Sequence, residues 1–457
     1  MGRLLTNTPR WIFLAALVFA PWAYGCTRPW SIAALTAMML AVVALWLLDC
    51  LGRRRRPVVP WPLWASALFL LAQGWIAIVN PQGAYDRVNL VFMPLKQIVP
   101  FAPGVIDRVD AIPALLRQSG LLGIVCFVAD LARRPAWRAR VWGTMALTGI
   151  SIVLCGLFMK IAGIHIASYK DPTDIGWNGF ALYFYHANAG AYINLVLPLV
   201  AGLAALAFLQ PHAHGRRALW LPGTILCIAG AVASLSKGAM VISLLLLVVL
   251  LAWYVRRARE NGVFDLAPGA LGATVIGAVV VIGAMVFLSW PGLVTRWGEL
   301  GRSGLTAQNP RLLTYTVCAR MFGDSGLWGF GPGNFAIAFP HYTRDLGKAI
   351  AGVWIYAHED YLQTVVEWGC IGAIFWAVIF FGAFVLGWRT LRTVPLSEPD
   401  SVLLTMALLS LAGVATHALF DFPLQIASLQ LYTATLLALC WAGPAFVIPS
   451  RSHRSAP

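Results

Sequence analysis

The stretch that decides the fold is SLSKGAMVISLLLLVVLLAWYVRRARE, residues 234–260. Between Lys237 and Arg256 lies an apolar run without a charge, about the 20 residues needed to cross a bilayer. Arg256, Arg257 and Arg259 crowd one end of it. That is the mark of a helix whose C-terminal end stays on the cytoplasmic side.

The same pattern repeats along the 457 residues. Candidate spans fall near 11–25, 30–50, 59–79, 112–131, 140–162, 188–209, 217–235, 238–255, 269–290, 361–388, 401–420 and 427–447, twelve in all. Only 11% of the chain is charged and 60% is hydrophobic. A soluble domain carries roughly 25% charged residues. These figures exclude a disordered chain and a soluble enzyme on a single anchor. They leave an all-α polytopic membrane protein. Arg3 and Arg10 before an apolar run, and Ala23-Tyr24-Gly25-Cys26 after it, resemble a lipoprotein signal. Tyr24 fits such a site poorly, and eleven further spans follow, so a retained first helix is the better reading.

Lys and Arg set the orientation. With the N-terminus inside, the cytoplasmic segments include 51–58, 132–140, 210–217, 256–268 and 389–400, and each carries at least two basic residues, among them Arg53 to Arg56 and Arg133, Arg134, Arg138 and Arg140. Both termini are then cytoplasmic, with 448–457 as a tail. The net charge of +15 is mostly a topology signal and calls for no nucleic acid. The division expected is helices 1–9 over 1–290, a large periplasmic loop over 291–360, and helices 10–12 over 361–447. A loop that long is usually functional.

The basic residues left outside, among them Lys160, Lys170, Lys237, Arg296, Arg311 and Arg320, are not explained by retention. Lys237 sits in a short outer turn beside Ser234 and Ser236, where it either snorkels to headgroups or binds an anion. Residues 309–335, NPRLLTYTVCARMFGDSGLWGFGPGNF, read as a helix opened by Pro310 and ended by Gly329, Gly331 and Gly333. Arg311 and Arg320 are nine apart, hence on opposite faces at ~100° per residue. The glycine turn lacks the strand and Lys of a P-loop, so a close-packing connector is the favoured reading.

His358, Glu359 and Asp360 stand where the loop ends and a span begins. The positive end of the helix dipole favours a neutral imidazole, the form a general base requires. A histidine that only caps the helix would have the same surroundings. Asn188 and Asn194 enter the sixth span amid aromatic residues and are expected to face the bundle interior, while Trp177, Tyr183 and Tyr185 suit an interfacial belt. Cys26 and Cys318 are the outer cysteines; no zinc spacing occurs, and no Asp-x-Asp pair lies outside, since Asp107 and Asp110, like Asp171 and Asp174, are three apart.

Arg311, the GFGPGNF turn, and His358-Glu359 followed by Gly369 and Gly372 occur together in one family. Over 170–375 the chain resembles the O-antigen ligase and polymerase superfamily of bacterial inner-membrane glycosyltransferases. SLSKG (234–238) is similar to that family's Ser-Arg-Gly outer turn, and HANAGAY (186–192) to its Asn-rich start of a central span. The resemblance implies a GT-C-like bundle and undecaprenyl-diphosphate-linked glycan as donor. It assigns His358 as catalytic, and Arg311 and Lys237 to the donor diphosphate with Arg320 or Lys170; Glu359, Ser236 and Asn188 support them. Lys237 departs from the family's Arg and cannot grip phosphate bidentately. Glu359 adds a negative charge that opposes the dipole at His358. No cofactor or metal is expected. The acceptor expected is a lipid A–core sugar at the periplasmic face, with a second lipid-linked glycan or a protein hydroxyl as alternatives. A polysaccharide transporter is the rival class, but no repeated halves are visible.

Overall fold

The structure is a computed structural model that describes residues 2–164, 179–209, 214–260, 268–303, 309–350 and 352–446. Lys170, Asp171, Asp174, Trp177 and the tail expected at 448–457 lie outside the described residues. The helices are α1 (Gly2–Trp22), α2 (Pro29–Gly52), α3 (Trp61–Val79), α4 (Arg108–Leu131), α5 (Pro135–Ile161), α6 (His186–Leu209) and α7 (His214–Ala233). They continue as α8 (Lys237–Glu260), α9 (Pro268–Ser303), α10 (Pro310–Ser325), α11 (Phe335–Ala338), α12 (Asp360–Thr393), α13 (Glu398–His417) and α14 (Ala427–Ala442). One hairpin, β1 (Gly83–Asp86) with β2 (Val91–Pro94), is antiparallel in the register Gly83 to Pro94.

Every predicted span falls on a helix, so the chain is an all-α polytopic membrane protein. Among the described residues nine helices are long and apolar enough to cross a membrane: α2 to α6, α8, α9, α12 and α13. The other three predicted spans are α1, α7 and α14; α14 is only 16 residues long and is flanked by 3-10 turns at Pro423–Gln425 and Gly443–Ala445. One boundary moves. α9 passes through Pro291 and runs to Ser303, so the first residues of the expected loop are helical. Proline is tolerated inside a membrane helix because neighbouring groups satisfy the carbonyl it frees.

α6 and α14 form the centre, where their apolar side chains are buried on every face. Small residues let the neighbours close in. A Cβ on Gly190 would lie 2.3 Å from Ala239 Cβ, and one on Gly202 2.4 Å from Met406 Cγ. The rim is the reverse: Leu244, Val279 and Phe287 of α8 and α9 point outward, as lipid-facing side chains do.

The segment between α9 and α12 has its own small core of Val317, Met321, Phe330, Phe335, Phe339 and Val366. Asn309 caps α10 by accepting from the Arg311 amide at 3.0 Å, with Pro310 next to it. The glycine turn then lies against α12 where that helix breaks, at Gly369 (φ +66°). Phe330 N donates to Val366 O at 3.0 Å, Gly331 N to Glu367 O at 2.9 Å, and Ile371 N to Leu327 O at 3.3 Å. A Cβ on Gly369 would sit 2.2 Å from Leu327 O, and one on Gly329 2.3 Å from Glu367 O. These glycines serve close backbone approach, in keeping with the connector reading.

Candidate active site

One end of the bundle gathers the N-termini of α6, α8, α12 and α14 with the C-terminal ends of α9 and α13. His358 sits there, on the last turn before α12, with a left-handed backbone (φ +56°). Histidine visits that region more readily than branched residues, and strain of this kind gathers at functional sites. The backbone is held on both sides: Tyr315 Oη donates to the His358 carbonyl at 3.1 Å, and Gln363 Oε1 accepts from Ala357 N at 3.0 Å.

Glu359 caps α12 by accepting from the Leu362 amide, so its carboxylate serves the helix end. Burial raises the Glu359 carboxyl, while the Leu362 and Tyr361 amides pull it back down. The acid at the imidazole is a different one. Asp421 Oδ1 lies 3.4 Å from His358 Nδ1. The turn after α13 is pinned to α12 by Asp360, whose amide donates to Ala418 O at 2.9 Å. The Asp360 carboxylate accepts from Leu424 N at 2.8 Å and Gln425 Nε2 at 3.0 Å. That clamp sets Asp421 beneath His358 and presses the Phe422 ring edge-on to the imidazole at 4.7 Å. Burial alone would raise the Asp421 carboxyl, but the facing His358 imidazole and the nearby His417 and Arg311 hold it below the usual carboxylate range.

Arg311 reaches the same place from α10. Its Nη1 donates to Phe420 O and its Nη2 to Tyr185 Oη, each at 3.1 Å. Burial pulls its pKa down, but Tyr185, Asp421 and Tyr315 outweigh that and leave it raised. Tyr185 Oη in turn donates to Asp421 Oδ2 at 3.4 Å, and its own pKa is raised, chiefly by burial. Its ring packs edge-on to His186 at 4.7 Å. His186 Nε2 accepts from Arg296 Nη2, and Arg296 O accepts from Lys237 Nζ at 2.9 Å. Lys237, Arg296, His186, Tyr185, Arg311, Asp421 and His358 therefore form one unbroken train of contacts.

The remaining predicted residues are placed differently. Arg320, on the far face of α10, pairs with Asp345 at 2.9 Å on an exposed surface. Ser236 is the cap of α8, its Oγ accepting from Ala239 N at 3.2 Å. Asn188 is buried in the first turn of α6, and Asn194 Nδ2 donates to Ala239 O at 3.2 Å. Tyr183 and Tyr185 turn inward and do not form a belt; Tyr183 is fully buried against Ser428 Oγ at 3.1 Å. Residues 180–184 also pack against Gly156 of α5 and against Tyr24 and Gly25. Cys26 and Cys318 are both buried free thiols.

Four residues of the train, Arg296, His186, Tyr185 and Asp421, were not singled out by sequence as site residues. Arg296 carries a signal, being one of the outer basic residues that retention leaves unexplained. Asp421 carries a weaker one, an acid in a short turn between two spans.

A half-buried histidine paired with a buried carboxylate lies beside a row of cations at one end of a multi-pass helical membrane protein. No curated protein sequence matches the chain. Residues 222–377 match the O-antigen ligase family model, which supports the resemblance to the O-antigen ligase superfamily. The match supports a ligase- or polymerase-type activity on lipid-linked glycans. The matched residues hold Lys237, Arg296, Arg311 and His358, whereas Tyr185, His186 and Asp421 lie on either side of them.

Proposed function

We propose that the protein transfers a glycan from undecaprenyl diphosphate to an acceptor hydroxyl at the periplasmic face of the inner membrane. The observation that carries this reading is the train of contacts joining Lys237, Arg296 and Arg311 to His358. Transfer breaks the bond between the anomeric carbon and the phosphate oxygen, and the diphosphate leaves with the electron pair. The three cations meet the charge that grows on it, in a site partly withdrawn from water. The acceptor oxygen forms the new bond to the anomeric carbon, and its proton passes to His358 Nε2, the nitrogen turned away from Asp421. Asp421 keeps Nδ1 protonated and steadies the imidazolium that results. Asp421 is enclosed and committed to this pair, so it is not assigned as a nucleophile.

A lipid A–core sugar is the acceptor we favour; polymerisation of lipid-linked repeats is the nearest alternative. The test is glycan transfer by the full-length protein in proteoliposomes, with labelled polyprenyl-diphosphate glycan as donor. His358→Ala is expected to lower the rate by about 10²–10⁴-fold. Transfer is expected to persist in EDTA. Retention by His358→Ala of more than about a third of the rate, too little loss for a general base, removes His358 from this role. In a deletion strain, long unattached glycan on lipid marks a ligase, and single repeat units mark a polymerase.

A further inference from the structure

Below the Asp360 clamp, on the side away from Lys237 and Arg296, a cleft of about 340 Å³ opens between α4, α12 and α14. Its rim is Tyr361, Leu424 and Gln425, the last two being residues that Asp360 clamps beside the site. Its walls are largely apolar, with Leu122, Val125, Ala377, Phe380 and Leu437 among them. The helices bearing Lys237 and Arg296 pack instead against α6, α7 and α13. The cleft and the Lys237–Arg296 pair thus approach His358 from different sides.

The cleft is not purely oily. Gln430 Oε1, Thr433 Oγ1 and Trp376 Nε1 line it, are buried, and have no hydrogen-bond partner. Gln430 is 8% exposed and Thr433 4% exposed. Orphaned buried polar atoms each cost about 1–3 kcal/mol, so a chain that keeps three in one cleft is built for something that pairs them. Gln430 and Thr433 stand three and six residues into α14. At 1.5 Å per residue that is about 5–9 Å along the helix from its first residue.

We infer that this cleft receives one amide-linked acyl chain of a lipid-anchored acceptor, and so presents the acceptor's sugar to His358 from the side opposite the donor diphosphate. The linkage carbonyl accepts from Trp376 Nε1 and Thr433 Oγ1, and its N–H donates to Gln430 Oε1. The methylenes run on toward Leu437 and Val125. A polyprenyl tail is hydrocarbon all the way from its diphosphate and offers nothing to these three atoms. The inference rests on the glycosyl-transfer reading for its purpose, but its test does not need turnover.

The experiment uses the full-length protein in phosphatidylcholine nanodiscs. Three photoreactive probes are added in turn: an N-acylglucosamine glycolipid with a diazirine in its acyl chain, a diazirine phosphatidylcholine, and a diazirine polyprenyl diphosphate. Crosslinks are mapped by mass spectrometry. The amide-linked probe is expected to label 373–381 and 430–437 above the other two. Ala377→Trp, which fills the cleft, should cut that labelling by at least about tenfold. The milder Gln430→Leu and Thr433→Val should each cut it by about fivefold, the worth of one hydrogen bond. In the transfer assay, Ala377→Trp should raise KM for a lipid-anchored acceptor and leave a short soluble sugar acceptor unaffected. Equal labelling by phosphatidylcholine makes the cleft an ordinary lipid groove, and preferential labelling by the polyprenyl probe gives it to the donor; either result overturns the inference. Selective labelling without any glycan transfer would uphold the cleft and sink the function proposed above.

Discussion

The two ends of the bundle use arginine in opposite ways. At the end away from His358, arginines are held by carboxylates: Arg138 grips Asp400 at 2.6 Å with both groups almost enclosed, and Arg55 grips Asp130 at 2.8 Å. At the His358 end, Arg311 and Lys237 spend their hydrogen bonds on a phenol and on main-chain carbonyls, and Arg296 on an imidazole. Charge that is already matched glues helices together. Arg311, whose hydrogen bonds go to a phenol and a carbonyl, can turn to an incoming anion at little cost, because a phosphate outbids a carbonyl. On the proposed function, the same residue type is structural at one end and functional at the other.

Substitutions can break this contrast. The largest effect after His358→Ala is expected from Asp421→Asn, which keeps the shape but loses the charge that fixes the imidazole tautomer. Transfer should fall by about 10²-fold or more. The same variant tests a linkage. With its folded pKa lowered, Asp421 contributes stability that is present above the unfolded value near pH 4. That contribution is lost as pH falls through the folded value, so Asp421→Asn should flatten the acid limb of the melting curve. An unchanged limb would separate Asp421 from His358.

Next comes Arg138→Met at the opposite end. Leaving Asp400 buried and alone should cost about 3–5 kcal/mol, and Arg138→Met with Asp400→Leu should restore most of it. Detergent melting temperatures report both, and the rate per folded molecule should not move. Arg296→Met should do the reverse, costing about 10- to 100-fold in transfer through a lost charge-assisted contact with little change in melting. If Arg296→Met instead unfolds the protein at unchanged specific activity, the two ends are alike and the contrast fails. The smallest effect belongs to Arg320→Ala. Its exposed pair with Asp345 is worth at most about 1 kcal/mol, and transfer should change by less than about twofold.

The spans were legible because hydropathy and the Lys/Arg alternation are local signals, whereas the helical continuation of α9 to Ser303 lies beyond the apolar run that hydropathy reads. Arg311 and Arg320 were separable for the same local reason, since helical spacing alone puts them on different faces. Asp421 was not legible. It reaches His358 through a clamp formed by Asp360 with Ala418, Leu424 and Gln425, a long-range arrangement that no local period announces. Tyr185 was hidden by a plausible alternative, because aromatics near a span's start usually mark an interface, and only burial between α6 and α14 shows otherwise.

The seam between the glycine turn and the broken α12 has a consequence for motion. Three main-chain hydrogen bonds and two more from Gln73 Nε2, to Trp328 O and Trp368 O, stitch 327–331 to the helix just below His358. Such a stitched seam cannot open without stranding amides in a dry place. Glycine turn and helix should therefore move as one piece, so that hydrogen exchange at 329–331 tracks that of the α12 backbone rather than that of a free loop.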